Sequence, residues 1–167
     1  MEKIGEKMVN LKKVTNENVW KIVKLSVNKE QENFVATNAS SIIEAYVTTP
    51  EDGSALPFGI YDDEELIGFV MIGRFEKEIE GDPSVVLGNY CLWRLMIDSN
   101  FQHKGYGKQA MKVIMDYIET MPCGKSEYCW LSYESENQVA RHLYASCGFE
   151  ETGEVCDEEV VAVKKIG

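Results

Sequence analysis

Apolar positions along this chain recur at two distinct periods. In "GKQAMKVIMDYIETM" (107–121), Ala110, Met111, Ile114, Met115 and Ile118 keep the spacing of one helical stripe, and Pro122 and Gly124 stop the helix. "SENQVARHLYASCG" (135–148) repeats the pattern through Val139, Ala140, Leu143, Tyr144 and Cys147. Ser135 and Gln138 there form a capping-box pattern, and Gly148 stands where a C-terminal cap belongs. Two shorter helices precede these. Thr15 caps a segment with Val19, Trp20, Val23 and Val27 on one side, and "NASSIIEAYV" (38–47) forms the second.

The remaining apolar runs read as strands. "NLKKV" (10–14) is the first, and "FGIY" (58–61) and "ELIGFVMIGRF" (65–75), joined by "DDE", form a hairpin. "SVVLGNYCLWRLMID" (84–98) reads as one long strand in which Gly88 and Asn89 mark a bulge or a break. "EYCWLSY" (127–133), "GFEETGEV" and "EEVVAVKKI" supply the rest. "TTPEDGSALP" (48–57) reads as a loop because of Pro50, Gly53 and Pro57, and "EKEIEGDP" (76–83) as an acidic turn region. The order is strand, two helices, three strands, helix, strand, helix, two strands. The strand–helix–strand unit over 90–133 is expected to be parallel and right-handed.

Composition narrows the picture. A length of 167 residues fits a single domain spanning 1–167, and 44% apolar with 27% charged residues is a globular balance, not a disordered one. The net charge of −11 leaves no basic face for nucleic acid but suits a cationic small molecule. The five cysteines are odd in number and form no Cys-x-x-Cys pair, and His103 and His142 add no zinc-ligand spacing. No metal is expected, and reduced thiols fit a cytoplasm. "MEKIGEKMVNLKKV" lacks the apolar core of a signal peptide, and no run approaches the ~20 residues of a membrane span. The chain is expected to be soluble, cytoplasmic and off the membrane.

One stretch runs against the acidic balance. "FQHKGYGKQAM" (101–111) carries His103, Lys104 and Lys108 beside two glycines, and no acid occurs between Phe101 and Met115. It enters the helix from a strand ending at Asp98. A helix N-terminus presents unpaired amides and partial positive charge, and glycine lets backbone approach an anion, so the stretch suits a polyphosphate. It is not a Walker loop, since Gln109 follows Lys108. Nor is it a dinucleotide fingerprint, because the acid expected ~20 residues on has no match. An ordinary basic strand-to-helix turn has the same composition.

Two ordered motifs make the stretch specific. Gln102-His103-Lys104-Gly105-Tyr106-Gly107 resembles the Gln/Arg-x-x-Gly-x-Gly/Ala signature of the GNAT family of N-acetyltransferases. Downstream, the run from Asn137 through Ala140, Leu143 and Tyr144 to Gly148-Phe149 resembles that family's Asn-x-x-Ala-x-x-Leu-Tyr-x-x-x-Gly-Phe segment. The resemblance covers roughly residues 58–164. It implies an α+β fold: a central mixed, mostly antiparallel sheet of about six to seven strands, flanked by about four helices, with one parallel cofactor-binding unit.

The resemblance also implies acetyl-CoA as co-substrate. Residues Gln102, His103, Lys104, Gly105, Tyr106, Gly107 and Lys108 would hold its pyrophosphate. Leu95, Met96 and Ile97 would pair their backbone with the pantetheine arm, and Asn137 and Ala140 would meet the cofactor at the head of the last helix. Tyr144 matches the general acid that protonates the departing thiolate. The base is not identified by motif. Vertebrate diamine acetyltransferases carry a carboxylate where Trp93 stands, and Glu32, Glu78, Glu80, Glu134 and Glu136 remain open. Cysteine nucleophiles are disfavoured: only Cys147 has a histidine close in sequence, and it lies on a core stripe.

Looser likeness in "VNKEQENFV" (27–35), "FGIY" and "LIGFVM" (66–71) extends to bacterial spermine/spermidine acetyltransferases of the Blt type. It implies a small cationic amine as partner, with Glu30, Glu32, Phe34 and Trp93 as substrate-binding candidates alongside the acidic 76–82 stretch. Another amine, such as an aminoglycoside or a protein N-terminus, stays open, as does a non-catalytic acyl-CoA-binding module. The retained Tyr144 favours an enzyme. Monomer and homodimer are both open.

Overall fold

The computed structural model describes residues 8–167. The reading of the N-terminal stretch as free of a leader falls, for residues 1–7, outside the described residues. Seven strands form one sheet in the order β1-β2-β3-β4-β5-β7-β6. They are β1 (Val9–Lys13), β2 (Gly53–Asp62), β3 (Glu65–Phe75), β4 (Tyr90–Ile97), β5 (Tyr128–Tyr133), β6 (Glu150–Cys156) and β7 (Glu159–Lys165). Four helices flank them: α1 (Val19–Lys24), α2 (Asn38–Val47), α3 (Tyr106–Glu119) and α4 (Gln138–Ser146). Every strand pairing is antiparallel except β4 with β5. This is the mixed α+β architecture expected from the sequence.

The sheet is apolar on both faces, and strand periodicity divides it. On β3, Ile67, Val70 and Ile72 join the core under α3, whose stripe of Ala110, Met111, Ile114, Met115 and Ile118 is buried as predicted. Phe69 and Met71 point to the other face, where Ile22 of α1 and Ile42 of α2 pack. A bulge makes β4 switch phase. Ile72 pairs with Leu92 but Met71 pairs with Arg94, so Trp93 is the extra residue. Leu92 and Leu95, three apart, therefore pack into the same core.

Several expectations are corrected. β2 begins at Gly53, so Pro57 lies inside a strand; β1 covers β2 only from Phe58 onward, and an uncovered edge accepts proline. β4 begins at Tyr90, because Gly88 at φ 73° turns the chain first. In α1 the buried residue is Ile22 and Trp20 is 72% exposed; two residues subtend about 200°, which sets Trp20 opposite Ile22. The cap is Asn18, because residues 15–18 form a separate turn closed by Asn18 and Val19 amides on Thr15 O. Finally, α4 begins at Gln138, three residues late. Asn137 Oδ1 accepts from the Ala140 amide at 3.1 Å, so a side-chain cap two residues further on replaces the capping box. Val139 is 66% exposed at the edge of its stripe, while Ala140, Leu143, Tyr144 and Cys147 are half-buried against the core.

Candidate active site

β4 and β5 are bonded only at Tyr90–Cys129 and Cys91–Trp130. Beyond those pairs the two parallel strands separate, and the opening is a cleft of about 960 Å³. It is lined by the strand from Leu92 to Ile97, the loop and first turn at Gln102, His103, Gly105, Tyr106 and Gly107, and the head of α4 at Asn137 and Ala140. Also lining it are the aromatic rings of Phe75 and Trp130 and the carboxylates of Glu134, Asp157 and Glu159.

The glycine loop leaves open space at the head of α3. Gly105 precedes α3 at φ 82°, a left-handed conformation that disfavours any side chain. A Cβ placed there meets nothing within 4 Å, and one at Gly107 meets only Leu143 at 3.5 Å. The space such atoms would fill lies at the head of a 14-residue helix, where first-turn amides have no intrahelical acceptor. His103, also left-handed at φ 60°, turns the chain into this cradle.

The loop is anchored on both sides. Buried Asp98 accepts from the Ser26 amide at 2.9 Å and from the Asn100 amide at 3.2 Å. Gln102 Nε2 donates to Gln31 Oε1 at 2.8 Å and to Ile97 O at 2.9 Å, while its Oε1 accepts from Asn28. The Gln102 amide thus ties the end of β4 to the segment after α1. Tyr106 sends its ring into the core and its hydroxyl to Asp62, so what it offers the cleft is backbone. Lys104 packs over the Phe101 ring at 5.6 Å, and neither it nor Lys108 lines the cleft.

Tyr144 lines the cleft, packed between Tyr133 at 5.9 Å and Phe149 at 6.2 Å. Burial, more than the neighbouring Cys147 and Glu159, pushes its phenol well above the usual tyrosine range, so it stays protonated at neutral pH. Burial likewise raises the Cys91 thiol, and the Cys129 thiol to about 12, which leaves neither as a thiolate nucleophile. All five cysteines are free. Among the described residues, no group of three or more His, Cys, Asp or Glu is placed to hold a metal ion.

Residues 24–149 match the family model described as Acetyltransferase (GNAT) family. The chain belongs to the GNAT acetyltransferase family. A spermine/spermidine N(1)-acetyltransferase of Bacillus subtilis (strain 168) is 30% identical over 159 residues, covering 95% of this chain and 99% of that one. A ribosomal-protein alanine N-acetyltransferase of Salmonella typhimurium is 33% identical over 67 residues, 40% of this chain and 43% of the other. Among solved structures, a spermidine N-acetyltransferase from Vibrio cholerae in complex with CoA and spermine aligns with TM-score 0.65 and 20% identity, covering 95% of each chain. An aminoglycoside acetyltransferase in complex with coenzyme A aligns with TM-score 0.74 and 16% identity, again covering 95% of each. At those identities the structural likeness establishes the GNAT fold.

Of the substrate-side residues named from the sequence, Phe34 and Trp93 line the cleft; Glu30 and Glu32 are exposed and do not. Of the open base candidates only Glu134 lines it, and the 76–82 stretch contributes Ile79 instead of its acids. The structure adds Glu44, Arg94, Ser132, Asp157 and Glu159. Glu159 stands on a strand that pairs with β5 through a connection between distant segments, so no local motif marks it. Arg94 becomes a cleft residue because the bulge at Trp93 changes the phase of the strand. Of the two readings at Gly88-Asn89, a bulge or a break, the structure has the break, and the bulge lies at Trp93.

Proposed function

We propose that this chain, as one domain over 1–167, is an acetyl-CoA-dependent N-acetyltransferase that acetylates a primary amine of a polyamine such as spermine or spermidine. One observation carries the acceptor side: Glu134, Asp157 and Glu159 line the same cleft as Phe75, Trp93 and Trp130. Carboxylates beside aromatic faces attract a chain of ammonium groups. The Bacillus relative's name agrees. The Gly105–Gly107 cradle accounts for the cofactor side.

The chemistry follows from the residues. Acetyl-CoA supplies the acyl group as a thioester, and the reaction needs no covalent enzyme intermediate. The amides of 103–108 seat the pyrophosphate, and Leu95, Met96 and Ile97 hold the arm along the splayed edge of β4. The cleft sets the amine nitrogen against the carbonyl, which supplies proximity. Tyr144, kept protonated by burial, gives its proton to the departing sulfur.

A second reading is favoured by Arg94. Its guanidinium lines the cleft beside the Trp93 ring, loosely held by Glu44 at 3.3 Å, and its buried Nε has no hydrogen-bond partner. That N–H suits a carbonyl next to the reacting amine, as at a protein N-terminus. Thiol release from acetyl-CoA decides between the two. Spermine and spermidine should exceed hexylamine and an alanine-terminated peptide in kcat/KM by at least tenfold. The margin should shrink between 0.1 M and 1 M salt, as the screening length falls from ~10 Å to ~3 Å. A peptide turned over faster than spermine, without salt dependence, establishes the second reading.

A further inference from the structure

We propose that Glu159 is the general base of this enzyme, the group that takes the proton from the acceptor amine, with Ser132 as the residue that positions it. The proposal rests on the acetyltransferase reading of the cleft but not on which amine fills it.

Four carboxylates line the cleft: Glu44, Glu134, Asp157 and Glu159. Glu44 is paired with Arg94. Asp157 is exposed in the two-residue turn between β6 and β7. Glu134 follows β5, and among the described residues no side-chain hydrogen bond orients it. Glu159 is oriented and, among the described residues, forms no ion pair: Ser132 Oγ donates to its Oε2 at 3.2 Å, and Oε1 has no hydrogen-bond partner. A base needs an oxygen left to take the proton, and Ser132 holds Oε2 while Oε1 stays unheld.

Its placement is built by the fold. Ser132 pairs with Val161 in the β5–β7 ladder, which brings the first residue of β7 to the open end of β5. Cys156 pairs with Glu159 across the turn Asp157-Glu158, and both turn residues have positive φ, 48° and 68°. Tight hairpins of this kind usually place Asn-Gly there. Two acids in left-handed conformations are strained, and strain of this kind gathers at functional sites.

The charged and titratable groups around Glu159 come from every neighbouring element: Arg94 on β4, Cys91 beneath it, Glu134 after β5, Tyr144 on α4, and Cys156 and Asp157 on the turn. Burial is the largest influence and raises the Glu159 carboxyl above its ordinary value; Glu134 and Asp157 add to it, while Ser132 and Arg94 oppose it. A base raised toward the working pH is the better base.

The proton count closes. A bound ammonium gives one proton to Glu159 Oε1 and becomes a neutral amine. Its lone pair forms the C–N bond, and the C–S bond breaks with its electron pair on sulfur. Tyr144 protonates that sulfur, and the nitrogen's second proton replaces the one Tyr144 gave. Glu159 then releases its proton to solvent.

The test uses acetyl-CoA and whichever of spermidine, hexylamine, kanamycin and an alanine-terminated peptide the wild-type protein acetylates fastest. Glu159→Gln keeps an acceptor for Ser132, and Glu159→Asp is the milder variant should Gln disturb folding. For the Gln variant we expect kcat/KM to fall about 100- to 10,000-fold, the scale of general-base effects, with acetyl-CoA affinity unchanged by calorimetry. The limb of the kcat/KM–pH profile assigned to Glu159 should disappear in Gln and shift in Asp. Ser132→Ala should move that limb while keeping it. As a readout apart from activity, amine affinity measured with CoA present should lose in the Gln variant the rise with pH that follows ionisation of Glu159. A folded variant with an unmoved pH profile and unmoved binding overturns the proposal, whatever its rate. Wild type inactive on the whole panel overturns it together with the enzyme reading. Activity on an amine other than spermidine overturns only the polyamine assignment.

Discussion

The Tyr106 hydroxyl donates to Asp62 Oδ2 at 2.5 Å, joining the loop at the head of α3 to the last residue of β2. That bond raises the Tyr106 phenol to about 12, ahead of burial. Because the folded value lies above the ordinary 10.0, the bond's stability is present in full below pH 10 and is lost as pH rises toward 12. Tyr106→Phe should lower stability by about 1–2 kcal/mol at pH 7. It should also unfold less steeply than wild type between pH 10 and 12. Denaturant titrations at three pH values check both; parallel wild-type and variant curves across that window would remove the assignment.

Gly105→Val adds a branched side chain at φ 82°, in space that is otherwise open. The left-handed backbone accounts for about 1–2 kcal/mol of destabilisation. The larger effect is on function, since the methyl groups fill the room proposed for the pyrophosphate. Acetyl-CoA affinity should drop at least tenfold in a folded protein. Gly105→Ala should lie between the two. Calorimetry showing wild-type affinity in a folded Val variant would end the phosphate-cradle assignment.

Tyr144→Phe keeps the ring between Tyr133 and Phe149 and deletes only the hydroxyl. Turnover should fall roughly 10- to 1000-fold at saturating acetyl-CoA. Because the phenol is held well above the usual tyrosine range, wild-type activity should show no descending limb from this group below pH 10. Stopped-flow thiol release across pH 6–10 reads both quantities. A fall in rate between pH 8 and 10 that persists in the Phe variant belongs to another group.

The sequence carried the fold wherever burial was periodic. The α3 stripe and the β3 run are each sandwiched in a core, so their patterns survive folding unchanged. It misled where local structure was short or irregular: the six-residue α1, and the turn before Tyr90. The loop proposed for the pyrophosphate can be read from the sequence because its residues are contiguous. The group of residues proposed for the acceptor is not legible. Glu44, Arg94, Glu134 and Glu159 lie on separate elements and meet only through sheet order, a bulge and a hairpin turn. Glu32 looked equally acidic, yet it sits exposed after the 3-10 turn Lys29–Gln31 and off the cleft wall.

Glu159 also sets a stability balance. Its folded carboxyl is raised above the ordinary 4.5, chiefly by burial, so the folded state binds this proton more tightly than the unfolded state does. Stability contributed by the protonated form is present below pH 4.5 and is lost as pH rises through the raised value. At neutral pH the fold therefore carries a desolvated charge that Ser132 and Arg94 only partly offset. Glu159→Gln removes that charge while keeping the size of the side chain. It should melt higher than wild type at pH 7 and close to wild type at pH 4, the reverse of what loss of a structural ion pair gives. Such a trade of stability for a charged group is what an active site predicts. Differential scanning calorimetry at the two pH values tests it. A Gln variant less stable at pH 7 and unchanged at pH 4 would mark Glu159 as a structural carboxylate.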